Sequence, residues 1–171
     1  MKGIILYRSQ YGSTEQYARW LAEDMKLPFM ELEQAREQDI RPYGFLIIGS
    51  NIKVGHIQAA EWIKEHWDWL KEKRLLLFSC SGSYSDAEEQ KKVLESSLPP
   101  EISGSFRYFP LPGRLNKDEL TFWDRVIVFL GSKTVPDEAA RKRMKHGFDY
   151  VDHEQLGQLK EVVKRFKQVV V

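Results

Sequence analysis

The run Arg8-Ser9-Gln10-Tyr11-Gly12-Ser13-Thr14 sets three hydroxyls around one glycine, directly before a stretch with helical periodicity. Such a glycine permits tight backbone curvature, and successive N–H groups at the positive end of a helix bind an anion such as phosphate without a lysine. Ser9, Ser13 and Thr14 would add hydrogen bonds from their hydroxyls, and Gln10 and Tyr11 complete the loop. The same residues would serve equally well in an ordinary strand-to-helix turn capped by Ser and Thr.

Two further runs share this character. Gly49-Ser50-Asn51-Ile52-Lys53-Val54-Gly55-His56 and Ser79-Cys80-Ser81-Gly82-Ser83-Tyr84 each follow an apolar stretch and are rich in glycine and small polar residues. Together they are suited to form a slot for a flat ring, because glycine lets backbone approach a ring closely. Ser50, Asn51, Ile52, Lys53 and Gly55 would line one side, and Ser81, Gly82, Ser83 and Tyr84 the other. Tyr84 could stack on one face of the ring and Ile52 cover the other, or each could pack on a neighbouring loop. Neither Gly-x-Gly-x-x-Gly nor Gly-x-x-x-x-Gly-Lys-Ser/Thr occurs, which removes support for dinucleotide and P-loop readings. A receiver domain would need acidic residues after the first strand, where Tyr7-Arg8-Ser9 stands, and a cysteine phosphatase would need an arginine soon after Cys80. Cys80 reads as a small core residue.

The elements that must position these runs alternate. Residues 3–7 form a compact apolar run suited to a strand buried on both faces, and from Ser13 onward Tyr17, Ala18, Leu21, Ala22 and Met25 recur at helical spacing. Residues 29–32, 43–48, 74–80 and 106–111 read as further strands, the third of the five ending at Gly49. Pro110 and Pro112 cannot donate ladder hydrogen bonds, so the fifth strand belongs at an edge. Helices are expected where Ala59, Ile63, Trp67 and Leu70 recur, over residues 86–98, from Asn116 to about Gly131 with Glu119 completing a capping box, and over residues 152–169. Residues 134–147 are the most linker-like. This alternation implies right-handed crossovers, a mostly parallel sheet with helices on both faces, and a ligand at the carboxyl ends of the strands.

The chain's 171 residues suit a single domain spanning residues 1–171, and its 42% hydrophobic and 30% charged residues suit a soluble globular one. With 26 basic against 25 acidic residues there is no global field to attract nucleic acid, and none is expected as partner. The single cysteine rules out an internal disulfide framework and a multi-thiolate metal site within one chain, and a reducing cytosol fits it best. The N-terminal run lacks the pattern of a secretory signal, and residues 120–130 are too short and too interrupted by charge to cross a bilayer.

On these residues the chain resembles a known family. The first loop is similar to the flavodoxin phosphate signature Ser/Thr-x-Thr/Tyr-Gly-x-Thr. The Gly49 to His56 run resembles the Gly-Ala-Ser-Ile-Arg-Tyr-Gly-His of the flavodoxin-like, menaquinone-dependent protoporphyrinogen oxidases, and Tyr150-Val151-Asp152-His153-Glu154-Gln155 is similar to their Tyr-Thr-Asp-Trp-Glu-Gln. The resemblance implies a flavodoxin-like, doubly wound, five-stranded parallel sheet of order 2-1-3-4-5 with helices on both faces. It also implies FMN as cofactor, a quinone as electron acceptor and six-electron oxidation of protoporphyrinogen IX. The third loop does not reproduce the family's own, and the segment before Asn116 lacks its run of aromatic and basic residues.

If FMN binds, Lys53 and His56 are placed to matter. A cation near the pyrimidine edge would stabilise the anionic reduced flavin, whereas a solvated Lys53 and a His56 that caps the next helix would do nothing of the kind. The helix after Asn116 carries Phe122, Trp123, Val126, Ile127 and Leu130, with Arg114, Lys117, Arg125 and Lys133 around it, a composition able to rest on an anionic membrane surface where a quinone resides. Burial against the sheet, or against a second subunit of a homo-oligomer, would use the same residues. The expected location is the cytoplasm, with peripheral contact at the inner face of the membrane. Three other functions fit the same residues: a flavodoxin-type electron carrier, a flavin-dependent quinone or small-molecule reductase, and a flavin-free regulatory or interaction protein.

Overall fold

The structure is a computed structural model and describes residues 1–134, 138, 141, 142 and 146–169. Along the chain, β1 (Gly3–Arg8) leads to α1 (Ser13–Met25) and the short β2 (Phe29–Glu31), then to the single turn α2 (Glu37–Ile40) and β3 (Phe45–Lys53). A two-residue β4 (His56–Ile57), α3 (Ala60–Glu65) and α4 (Trp67–Leu70) precede β5 (Arg74–Ser81), α5 (Ala87–Ser97), α6 (Pro100–Ser103) and β6 (Phe106–Pro112). Beyond β6 come β7 (Arg114–Leu115), α7 (Phe122–Thr134) and β8 (Phe148–Asp149), then a C-terminal helix α8 (Gly157–Gln168) entered through the 3-10 turn His153–Leu156.

Five strands run parallel in the order β2-β1-β3-β5-β6, the expected order of the five strands counted along the chain. Period-two alternation in the central strands feeds two separate cores. Ile5, Tyr7, Ile47, Leu76 and Phe78 face one side, where they meet Tyr17, Leu21, Leu159 and Val163 of α1 and α8. Ile4, Leu6, Leu46, Ile48 and Leu77 face the other, against Ile40, Trp62, Ile63 and Val93 of the remaining helices. Strands covered on both faces must be apolar at nearly every position, which is why these runs stand out in the sequence. The edge position of β6 accommodates Pro110 and Pro112, whose missing donors face no further strand.

Four expectations need correction. β3 does not end at Gly49 but runs to Lys53 and folds back on β4, with Ile52 opposite Ile57 and Lys53 opposite His56. The two residues between them, Val54 and Gly55, both have positive φ (50° and 72°), the conformation that closes a tight two-residue hairpin. Gly49 itself lies inside the sheet, where a Cβ would come within 2.3 Å of the Phe78 ring, so its missing side chain accommodates a core aromatic. Asn116 caps only the 3-10 turn Lys117–Glu119; the long helix starts at Phe122, where the Thr121 hydroxyl accepts from the Asp124 amide at 3.2 Å and donates to its carboxylate at 2.8 Å. Finally, α3 begins after Ala59 with no side-chain cap, so His56, exposed on β4, caps no helix. Most of the stretch read as a linker, 134–147, lies outside the described residues.

Candidate functional site

Register decides what meets at the carboxyl edge. Arg8 on β1 pairs with Ser50 on β3, and Ser50 with Ser79 on β5, so the chain leaves the first loop, the β3 extension and the third loop side by side. In the first loop Gly12 adopts φ 81°, a left-handed conformation costly to residues with a Cβ, and its N–H donates to Ser9 Oγ at 3.1 Å. This closes the turn and starts α1 at Ser13, whose first backbone N–H groups have no partner within the helix.

The three hydroxyls are used differently. Ser9 accepts from Gly12, and Ser13 accepts from the Arg114 amide at 3.2 Å. Thr14 is wholly buried, and its Oγ1 makes no hydrogen bond of ordinary geometry among the described residues, its polar neighbour being the weakly accepting Cys80 thiol. A buried hydroxyl held only by a thiol at the start of a helix retains hydrogen-bonding capacity for a polar ligand. Below it, burial pushes the Cys80 thiol up to about 12, with the Thr14 hydroxyl pulling weakly the other way, so Cys80 is an inert core thiol.

Sequence reasoning did not find Asp124, yet this residue gathers the loop tips. Its carboxylate accepts from Gln10 Nε2 at 2.9 Å, from the Tyr11 hydroxyl, from Thr121 and from Lys53 Nζ at 2.7 Å. Lys53 and then Tyr11 hold its pKa down to about 2, against the pull of burial. Lys53 is therefore ion-paired rather than solvated, and Gln10, Tyr11 and Lys53, predicted as one site, do come together. No sequence signal singles out Asp124 beyond its place three residues after Thr121, the spacing of a helix-start box.

Other predicted residues separate. Ser50 is fully buried, donates to the Asn51 carbonyl at 2.9 Å and accepts from the Ala59 amide at 3.0 Å, so it fastens the β3 extension to α3. Asn51 holds Gln58 through its carbonyl, Ile52 is half-buried on the core, and Gly55 is exposed with open space around it. In the third loop, Gln90 of α5 donates to Ser81 Oγ at 3.2 Å and to the Ser83 carbonyl at 3.1 Å, while accepting from the Tyr108 hydroxyl at 3.0 Å. Tyr108 reaches Ser79 at 2.6 Å, so a buried chain of polar groups fixes where Ser81 to Ser83 stand. A Cβ on Gly82 would come within 2.5 Å of Phe148 on β8, which stacks on Tyr150. Tyr84 is half-buried and makes no hydrogen bond or ring contact among the described residues, leaving its face available.

The donor set suits a phosphate ester: a left-handed glycine, a helix start, three hydroxyls of which one is held only by a thiol, and the cation of Arg114 close by. No group of three His, Cys, Asp or Glu able to hold an ion occurs among the described residues.

An anion cradle at the carboxyl edge of a doubly wound parallel sheet defines a class of nucleotide- and flavin-binding domains. Within that class the assignment is direct: the family model described as a flavodoxin domain matches residues 4–142, and the chain belongs to that family. Among solved structures, the chain is similar to a flavodoxin, WrbA-like protein from Agrobacterium tumefaciens (13% identity, 96% of this chain and 98% of that one, TM-score 0.53). A flavoprotein from Bacteroides eggerthii is similar at 16% identity over 78% of this chain and 98% of that one (TM-score 0.50). A flavoprotein from Lactobacillus acidophilus in complex with FMN is similar at 18% identity over 65% of this chain and 91% of that one (TM-score 0.44). The first two of these likenesses show the fold. No curated protein matches the sequence.

Proposed function

We propose that this protein is an FMN-dependent oxidoreductase that holds the flavin phosphate in loop 9–14 and works in a reducing cytosol. The observation that carries the reading is the left-handed Gly12 immediately before α1, with the fully buried Thr14 hydroxyl two residues on. Ser9, Ser13 and Thr14 would hold the phosphate with the N–H groups of the first turn, and Asn51, Lys53 and Tyr84, on the neighbouring β3 extension and third loop, would meet the ring. Bound there, FMN would supply one- and two-electron transfer, and the chain's own residues would orient it and exclude water. Because Lys53 is already paired to Asp124, its effect on a ring is that of an ion pair, weaker than that of an isolated cation.

The finer reading is oxidation of a porphyrinogen with a quinone as acceptor, six electrons and six protons passing to three quinones as quinols. It rests on the likeness of residues 49–56 and 150–155 to the menaquinone-dependent protoporphyrinogen oxidases. The surface of α7 supports it: Phe122 and Trp123 are each 73% exposed and Leu130 56%, with Arg125 and Lys133 on the same helix, a face suited to anionic lipid that holds quinone. No helix among the described residues is long and apolar enough to cross a membrane, so such contact would be peripheral. Holoprotein incubated with protoporphyrinogen IX and a menaquinone analogue under anaerobic conditions should develop porphyrin fluorescence. A holoprotein that is reduced by a flavodoxin reductase but forms no porphyrin is an electron carrier or a reductase of another small molecule. Flotation with anionic liposomes should bring the protein to the lipid fraction, and protein that stays behind defeats the membrane contact.

A further inference from the structure

Arg114 was read from the sequence as one of the basic residues around the α7 face, yet the structure puts it elsewhere. It follows β6 directly, its amide donates to Ser13 Oγ at 3.2 Å, and a guanidinium nitrogen lies 3.1 Å from where a Cβ on Gly12 would stand. Gly12 is the residue immediately before α1, so a full positive charge is held against the positive end of a 13-residue helix. That apposition is unfavourable by itself, since helix starts favour anions. Little compensates for it. Asp149 lies 3.8 Å from the other terminal nitrogen, beyond hydrogen-bond range, and is largely exposed; Glu15 in the first turn of α1 is taken by Arg19 at 2.8 Å. Of the other cations of this region, Arg8 is turned away toward Glu33 and the Gln58 carbonyl, and Lys53 is paired with Asp124.

Two donors nearby are unsatisfied by oxygen or nitrogen. Arg114 Nε is buried without a hydrogen bond, and Thr14 Oγ1, fully buried two residues after Gly12, has only the weak Cys80 thiol beside it. A dianionic phosphate monoester is the ligand that resolves all of these at once: it neutralises the guanidinium, accepts from its fork, and meets the helix N–H groups. We infer that Arg114 is a phosphate-reading residue, supplied by the segment after the last parallel strand rather than by the loop itself, and that it sets the preference for FMN over riboflavin. This rests on the flavin reading above. Because Arg114 opens β7, whose partner is β8, the same contact couples phosphate occupancy to the small β7–β8 sheet that brings Phe148 against Gly82.

The test is flavin affinity by fluorescence quenching, in the apoprotein and in Arg114→Gln and Arg114→Lys, with FMN and riboflavin as separate ligands. The expected result is a loss of at least about tenfold in FMN affinity in Arg114→Gln, the scale of one charge-assisted hydrogen bond, with riboflavin affinity unchanged and partial recovery in Arg114→Lys. Unchanged FMN affinity, or an equal loss for both flavins, overturns the inference. Thermal unfolding with inorganic phosphate separates it from the flavin reading. If the wild type binds no flavin yet phosphate raises its Tm in a manner lost in Arg114→Gln, the anion site stands and the flavin falls; if phosphate does nothing either, both fall.

Discussion

Asp124 is the residue on which most of the loop-tip geometry depends, and its chemistry gives a signed pH dependence. Its folded pKa, about 2, lies below its ordinary value of 3.8, so it adds stability above the ordinary value and loses it as pH falls toward the folded one. The shift corresponds to about 2 kcal/mol at neutral pH. In urea titrations the wild type should exceed Asp124→Asn by up to this amount at pH 7, with the gap narrowing between about pH 4 and pH 2. A gap independent of pH contradicts the Lys53 and Tyr11 contacts. Thr14 makes the complementary case. Thr14→Val removes a hydroxyl whose neighbour is only the weakly accepting Cys80 thiol, so apoprotein stability should hold or rise by up to about 1 kcal/mol while FMN affinity drops about tenfold. A large loss of apoprotein stability would mean that the hydroxyl is already bonded.

At the scale of elements, the third loop is only as firm as the α5 residue that holds it. Gln90 is 3% exposed and reaches Ser81, Ser83 and Tyr108, so Gln90→Ala leaves buried polar groups unpaired and should cost about 1–3 kcal/mol. Hydrogen exchange should quicken at residues 81–84 and spare β1 and β3; uniform quickening would show that the residue acts on the whole core. What the sequence disclosed at this scale follows from periodicity. The buried strands and α1 are legible because each must repeat apolar residues at period 2 or 3.6 over several turns or pleats, as Tyr17, Leu21 and Met25 do. The β3–β4 hairpin was not legible, since Val54 takes a positive φ that its side chain disfavours and the pairings of Ile52 with Ile57 and Lys53 with His56 compensate. The start of α7 was misread because Asn116 and Thr121 both offer box-like spacing, and only the second has Tyr11, Gln10 and Lys53 converging on its acidic partner.

For the whole molecule, the stretch from residue 113 to 150 is an addition to the sheet rather than part of its core. Neither core layer includes any described residue from 113 to 150, whereas α8 supplies Leu159, Val162 and Val163. The first and third loops were read from local composition, but Arg114, Asp124 and Phe148, which act on them, come from this segment and lie roughly a hundred or more residues from the first loop. Distance in sequence hid them, because no periodic pattern links a loop residue to a side chain that reaches it only after folding. Leu115 and Phe148 face each other across β7 and β8, so residues 116–147 can be replaced by a two-residue Asn-Gly turn. The shortened chain should still unfold cooperatively, but about 2 kcal/mol less stably because Asp124 and its contacts to Lys53 and Tyr11 go with the segment, a drop in Tm of about 4–8 °C, and it should lose any affinity for anionic liposomes. Failure to fold would show that the segment belongs to the core.

The measurement closest to the central claim is the visible spectrum and released cofactor of the protein after reconstitution with FMN and removal of excess ligand. The account expects one FMN per chain, a flavin spectrum perturbed from that in solution, and weaker retention of riboflavin. A colourless protein that retains no FMN after reconstitution would contradict it.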